Sequence, residues 1–362
     1  MADTIMAHEI AEQPEALART LDELRPLRAE LRALAAGRRT VLFVARGSSS
    51  NAAVYGRYLL EAHAGHPAGF AAPSVATHYH STLDLSDAVV VAVSQSGETQ
   101  EIVETQAWAA TMGARTVAIT NDSSSALATA ADIALVTQAG TERAVPATKS
   151  YTTQLAAMAV LAGALAPDPN ALDADLDRVP AEASRLIQTR GGVDEAAEQI
   201  ASTPESLVSG RGVALGTALE AALKLEETCL RPVRGLSYAD LRHGPIAVID
   251  AGHVAVLVSA GDGPMVAGMT EFAHDLRARG ATAIVGIGGD AGFAAAVDVA
   301  AAGPDLPELV APLALVVPAQ LTVEALARKL GLNPDAPRGL SKVTQTDPDD
   351  LTDPASMATT SP

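Results

Sequence analysis

Residues 91–102 read VAVSQSGETQEI. An apolar run ends there at Ser94-Gln95-Ser96-Gly97-Glu98-Thr99, and a helical period begins directly after it. A strand that is apolar throughout is buried on both faces, which marks a parallel sheet covered by helices. In such sheets ligands bind beyond the carboxyl ends of the strands, where the chain turns into a helix. A helix N-terminus carries unpaired N–H groups and a partial positive charge, so backbone donors hold an anion there. The hydroxyls of Ser94, Ser96 and Thr99 and the amide of Gln95 add polar groups, and Gly97 lets the backbone come close. A second apolar run, VLFVA, ends in Gly47-Ser48-Ser49-Ser50. Two such loops converging on one crevice would cradle one phosphate without basic residues. Helix capping explains one serine per loop but not this accumulation. No GKS or GKT follows the glycine, and GSSSNA is not the dinucleotide fingerprint.

The same alternation runs outward in both directions. RTVLFVARGSSS, AVVVAVSQSGE, RTVAITND and DIALVTQAG read as strands, separated by helical periods of about 10–15 residues. That pattern predicts an α/β fold with a parallel sheet. Residues 1–38 read as helix. APDPNALDADLDRVP is rich in proline and aspartate and reads as a linker, after which the pattern restarts. ESLVSGRGVALGTALEAALKLEE echoes the first strand–turn–helix, and HVAVLVSAGDGP echoes AVVVAVSQSGET, pointing to an internal duplication. The expected organisation is a helical segment 1–37, a first domain 38–168 with the phosphate loops, a linker and helix 169–193, a second domain 194–335 and a tail 336–362. The second copy has SAGDGP where the first has SQSGET, so only the first keeps the hydroxyls. The polar end of the tail reads as disordered.

Composition excludes several functions. The net charge of −18 and 3% aromatic content argue against a nucleic-acid surface, which needs a basic stripe or stacking platforms. Apolar runs are far shorter than the ~20 residues that span a bilayer, so no membrane partner is expected. The acidic start has no apolar signal core, and a soluble cytoplasmic protein is expected. A single cysteine, Cys229, leaves no disulfide framework, and His78-Tyr79-His80 lacks a third metal ligand.

VSQSGET, AVPATKSYTTQL, ALEAALKLEE, DLRHGPIAVID and NPDAPRGLSKVTQTD, in that order, resemble the sugar isomerase (SIS) family over roughly residues 30–348. The nearest branch is the isomerase half of glutamine–fructose-6-phosphate aminotransferase, together with the SIS-type glucosamine-6-phosphate deaminases. The resemblance implies tandem duplicated SIS domains, each a flavodoxin-like parallel sheet flanked by helices on both faces. It implies Glu227 as the carboxylate that moves a proton between C1 and C2 of the sugar, and Lys224, on the same helix face, for hydroxyl proton transfer. His243 is implied to open the sugar ring from the neighbouring subunit, so a homodimer is expected. Lys342 is implied at the carbonyl end of the substrate, where Schiff-base chemistry requires a neutral amine. Val145 and Ser341 would touch the sugar. Glu142 and Lys149 would help to build the crevice without being catalytic, and Glu226 would point away. Pro146 and Ala147 replace the Ala-Ser of the aminotransferase. No metal or organic cofactor is implied.

That aminotransferase begins with a glutaminase domain whose nucleophile is an N-terminal cysteine. Here Met1 is followed by Ala2-Asp3, and Cys229 lies in the second copy. Release of ammonia from glutamine is therefore not expected. The expected substrates are a hexosamine 6-phosphate and fructose 6-phosphate, and the expected reaction is glucosamine 6-phosphate plus water to fructose 6-phosphate plus ammonia. The alternatives are an isomerase or deglycase on another hexosamine or fructosamine 6-phosphate, or ammonia-dependent synthesis. A sensor without chemistry is disfavoured, because the N-terminal 38 residues are too short and too acidic for a DNA-binding module.

Overall fold

The computed structural model describes residues 4–342 and 344–346; the polar tail expected to be disordered lies outside the described residues. The first sheet holds β1 (Thr40–Ala45), β2 (Ala68–Phe70), β3 (Ala88–Val93), β4 (Arg115–Thr120) and β5 (Ile133–Val136), in the order β2-β1-β3-β4-β5. The second holds β6 (Glu205–Gly210), β7 (Val233–Ser237), β8 (His253–Ser259), β9 (Ala283–Gly288) and β10 (Val299–Ala301), in the order β7-β6-β8-β9-β10. Every pairing is parallel, and both sheets share one strand order, 2-1-3-4-5. All six residues of β3 are buried, as a strand covered on both faces requires.

Strand order reverses between β1 and β3, whose register pairs Ala45 with Val93. The loops leaving these two strands are therefore neighbours at the switch point, where doubly wound sheets bind ligands. The helix Gly47–Leu59 follows β1 and the helix Gln100–Thr111 follows β3.

One apolar cluster joins the sheets, running from Phe43 and Val91 through Leu155 and Val316 to Val208 and Val256. The helices Lys149–Leu165 and Pro312–Lys329 lie within it, buried along almost their whole length. Each buried Leu or Val side chain contributes about 1.5–3 kcal/mol. Two smaller clusters cover the outer faces of the sheets. The helix Leu215–Cys229 crosses Gly47–Leu59 at Gly216, where a Cβ would stand 2.7 Å from the Asn51 carbonyl oxygen. Glycine permits this close approach, and it brings the polar N-terminal turn of one helix against the other.

Several expectations need correction. The helix expected over residues 1–38 is three helices, Ile5–Ala11, Gln13–Leu24 and Arg28–Leu34. Pro14 opens the second, and Pro26 sits in a 3-10 turn before the third, because proline has no N–H and clashes with the preceding turn. Within the expected linker and helix 169–193, the helical part is Val179–Thr189 with a short turn of helix at Asp173–Leu176. Val179–Thr189 buries Val179, Ala183 and Leu186, an apolar stripe hidden among prolines and acidic residues. Short β7 and β10 lie at sheet edges, half-exposed and without a readable period. Among the described residues, no helix is long and apolar enough to cross a membrane.

Candidate active site

A cavity of about 460 Å³ opens at the carboxyl ends of β1 and β3. Gly47, Ser48, Ser49, Ser94, Gln95, Ser96, Thr99, Val145, Lys224, Glu227, Ser341 and Lys342 all line it. Of the expected catalytic and substrate-binding residues, His243 alone is missing; Lys149, expected to help build the crevice, does not line it and pairs with Glu12 instead. His243 is exposed on the turn that follows the short helix Tyr238–Arg242 and does not reach this cavity within one chain.

Hydrogen-bond directions sort the hydroxyls. The Ser94 hydroxyl accepts from the Gly97 N–H at 3.2 Å, and the Ser96 hydroxyl accepts from the Glu98 N–H at 3.3 Å. The Ser49 hydroxyl accepts from Gln154 Nε2 at 3.1 Å. Ser49 and Ser96 thus keep their protons to donate to an anion, while Ser94 also shares a 3.4 Å contact with the Thr99 hydroxyl in which either can donate. Ser48 differs: its hydroxyl donates to Glu220 Oε1 at 2.9 Å, so its proton is already committed. Gly97 has φ +66°, and a Cβ there would stand 2.2 Å from Ser125 Oγ, so the loop can turn only on glycine. Arg46 clamps the two loops together through Glu101, at 2.9 and 3.0 Å.

The second wall belongs to the helix Leu215–Cys229. Lys224 is 1% exposed, which rules out a surface ion pair. Its ammonium stands 2.5 Å from Glu227 Oε2 and 3.4 Å from Glu220 Oε1. Glu220 is wholly buried and also accepts from Asn51 Nδ2 at 2.9 Å. Burial pushes the Glu220 carboxyl up, and the Lys224 charge only partly opposes it. Burial alone would lower Lys224, but Glu220 and Glu227 outweigh it and hold the ammonium above its ordinary range. One ammonium thus sits between two carboxylates, with Glu227 at the cavity and Glu220 behind it. The sequence reading missed Glu220, although its spacing from Lys224 and Glu227 puts all three on one helix face. Glu226 is exposed and does not line the cavity, as expected.

The third wall is the C-terminal segment. Lys342 Nζ donates to Glu142 Oε2 and to the Ala144 carbonyl, both at 2.7 Å. The neutral amine implied by the resemblance required a neighbouring cation or an apolar pocket; the structure supplies a buried carboxylate. Burial tends to raise Glu142, but Lys342 and the hydroxyl and N–H of Ser150 bring it below its ordinary value of 4.5. A carboxyl depressed by folding contributes stability above its unfolded pKa and loses it as pH falls through the folded one. Wild-type stability is therefore expected to drop as pH falls below about 4.5, and Glu142→Gln to flatten that drop, in thermal melts between about pH 3 and 6.

Cys229 is no candidate nucleophile. It is buried, its thiol is pushed up to about 12 by that burial, and Sγ contacts the Val323 carbonyl at 3.5 Å.

Comparison with known proteins identifies the family. The SIS domain matches residues 35–164. The glutamine–fructose-6-phosphate aminotransferase (isomerizing) of Methanothermobacter thermautotrophicus is 33% identical over 343 residues, 94% of this chain and 57% of that protein. The chain thus spans little over half the length of such curated relatives. A solved structure of a candidate phosphosugar isomerase from Silicibacter pomeroyi is 33% identical with a TM-score of 0.82, covering 92% of this chain and 100% of that one. The C-terminal domain of glucosamine-fructose-6-phosphate aminotransferase from Francisella tularensis is 25% identical with a TM-score of 0.83, covering 93% and 99%. With a parallel sheet of SIS topology, hydroxyl-rich strand-end loops and a likeness that spans a whole solved relative, this chain belongs to the SIS family of phosphosugar isomerases.

Proposed function

We propose that this protein deaminates glucosamine 6-phosphate to fructose 6-phosphate and ammonia. One observation carries the reading: the buried Lys224–Glu227 pair faces the same cavity as the strand-end hydroxyls of Ser49, Ser94 and Ser96. The loops hold the phosphate. The open-chain amino aldose then lies across the Glu227 carboxylate, which takes the proton from C2 and returns it to C1. Lys224 stabilises the oxygen charge that develops at C1 and supplies its proton. The product is a C2 imine, and water converts it to the ketone with loss of ammonia. Lys342 serves the carbonyl end as an ammonium held by Glu142. Ammonia release from glucosamine, galactosamine and fructosamine 6-phosphates tests the proposal. Release from glucosamine 6-phosphate supports it; turnover of another member alone moves the specificity to the Val145–Ala147 wall.

The common strand order of the two sheets supports descent of both halves from one duplicated unit. We further place His243 in the site of a second copy, because it is exposed and lies outside its own chain's cavity. Val248, close by on the next 3-10 turn, is 59% exposed and gives that face an apolar contact. His243→Ala and Glu227→Gln chains are each expected to be inactive alone. Mixed, they are expected to recover roughly a quarter of wild-type activity, since half the dimers would carry one complete site. No recovery in verified mixed dimers would place His243 elsewhere.

A further inference from the structure

The cavity loop 142–147 has no regular structure, so its backbone groups need partners from elsewhere. Two consecutive N–H groups find them at the N-terminal helix, and the next finds one in the C-terminal segment. The Arg143 and Ala144 N–H groups donate to the two carboxylate oxygens of Glu9, which is 3% exposed. The Val145 N–H donates to the Asp335 carbonyl at 2.8 Å. The Asp335 carboxylate in turn accepts from the N–H groups of Ile5 and Met6, at 3.0 and 2.8 Å, and so fixes the start of that helix. On the other side of the loop, the Ala144 carbonyl accepts from Lys342, and Val145 and Ala147 face the cavity.

We propose that Glu9 is a positioning residue: by holding the 143–144 backbone it sets Val145, Ala147 and Lys342 at the sugar end of the cavity. The inference rests on the reading of this cavity as the sugar-phosphate site. Glu9 lies outside the cavity; its two carboxylate oxygens accept from those two N–H groups, and the charges of Glu142 and Lys149 also act on it. A carboxylate that accepts two backbone N–H bonds is a strong and directional anchor. The phosphate end is built from different elements, the loops after β1 and β3. The two ends of the substrate are therefore expected to respond separately.

The test compares Glu9→Ala and Glu9→Gln in the full chain by kinetics, by calorimetry with inorganic phosphate, and by amide hydrogen exchange. Glu9→Ala is expected to lower kcat by about 10- to 100-fold, the cost of a displaced reacting geometry. Its Kd for inorganic phosphate should stay within about twofold of wild type, as for an independent site. The amides of Arg143 and Ala144 should exchange faster. Glu9→Gln keeps one acceptor oxygen and should fall between wild type and Glu9→Ala, and it stands in if the alanine variant does not fold. Unchanged kcat despite faster exchange would overturn the proposal. So would kcat, phosphate affinity and melting temperature falling together, which marks a purely structural role. Absence of turnover in the wild type would sink the deaminase reading alone, whereas unchanged exchange at Arg143 and Ala144 would sink the positioning role alone.

Discussion

Glu227→Gln is expected to lower kcat for ammonia release by about 10²–10⁴-fold, the range supplied by one positioned proton carrier. The substitution keeps the shape of the side chain and removes only its capacity to carry a proton. KM should change little, because the strand-end loops proposed to hold the phosphate are built from other elements than the helix of Glu227. The fold should survive, since Glu227 is 26% exposed and Lys224 keeps Glu220 as a second carboxylate partner. A variant that retains more than a tenth of wild-type kcat would remove Glu227 from the proton path. A variant that loses phosphate affinity along with kcat would show that Glu227 organises the cavity instead.

Lys224→Met is expected to be the most destabilising single change at the site, by about 3–5 kcal/mol. It would strand Glu220, wholly buried, without its counter-charge, and breaking one side of a buried pair leaves an uncompensated ion. Methionine fills a similar volume, so the loss is electrostatic and not a cavity effect. The sign with pH follows from the shifts. Lys224 is raised by folding, so its contribution is complete below its unfolded pKa and is lost as pH rises through the higher folded value. In Lys224→Met, Glu220 is relieved by taking up a proton, so the variant should regain stability as pH is lowered towards the carboxylate range. Denaturation of the single variant and of Lys224→Met/Glu220→Gln checks both points. The double variant should recover part of the loss, and strict additivity would mean that the two groups are not coupled.

Much of the fold was legible because its signals are short-range. A strand such as Ala88–Val93 is apolar throughout because both of its faces are covered, and the turn into a helix follows at once. The edge strands β7 and β10 escaped, because a half-exposed edge has no period.

By itself, then, the sequence determined a parallel sheet, a hydroxyl-rich loop after β3 with a second after β1, and a Lys–Glu pair one helical turn apart. Each is written in fewer than about ten consecutive residues, within the reach of a single turn or helix face. Only the tertiary structure decided the rest. It committed the Ser48 proton to Glu220, 172 residues away, gave Lys342 the carboxylate of Glu142, 200 residues away, and left His243 outside its own chain's cavity. Contacts between residues so far apart arise from how two sheets share one core, and no local period encodes that packing.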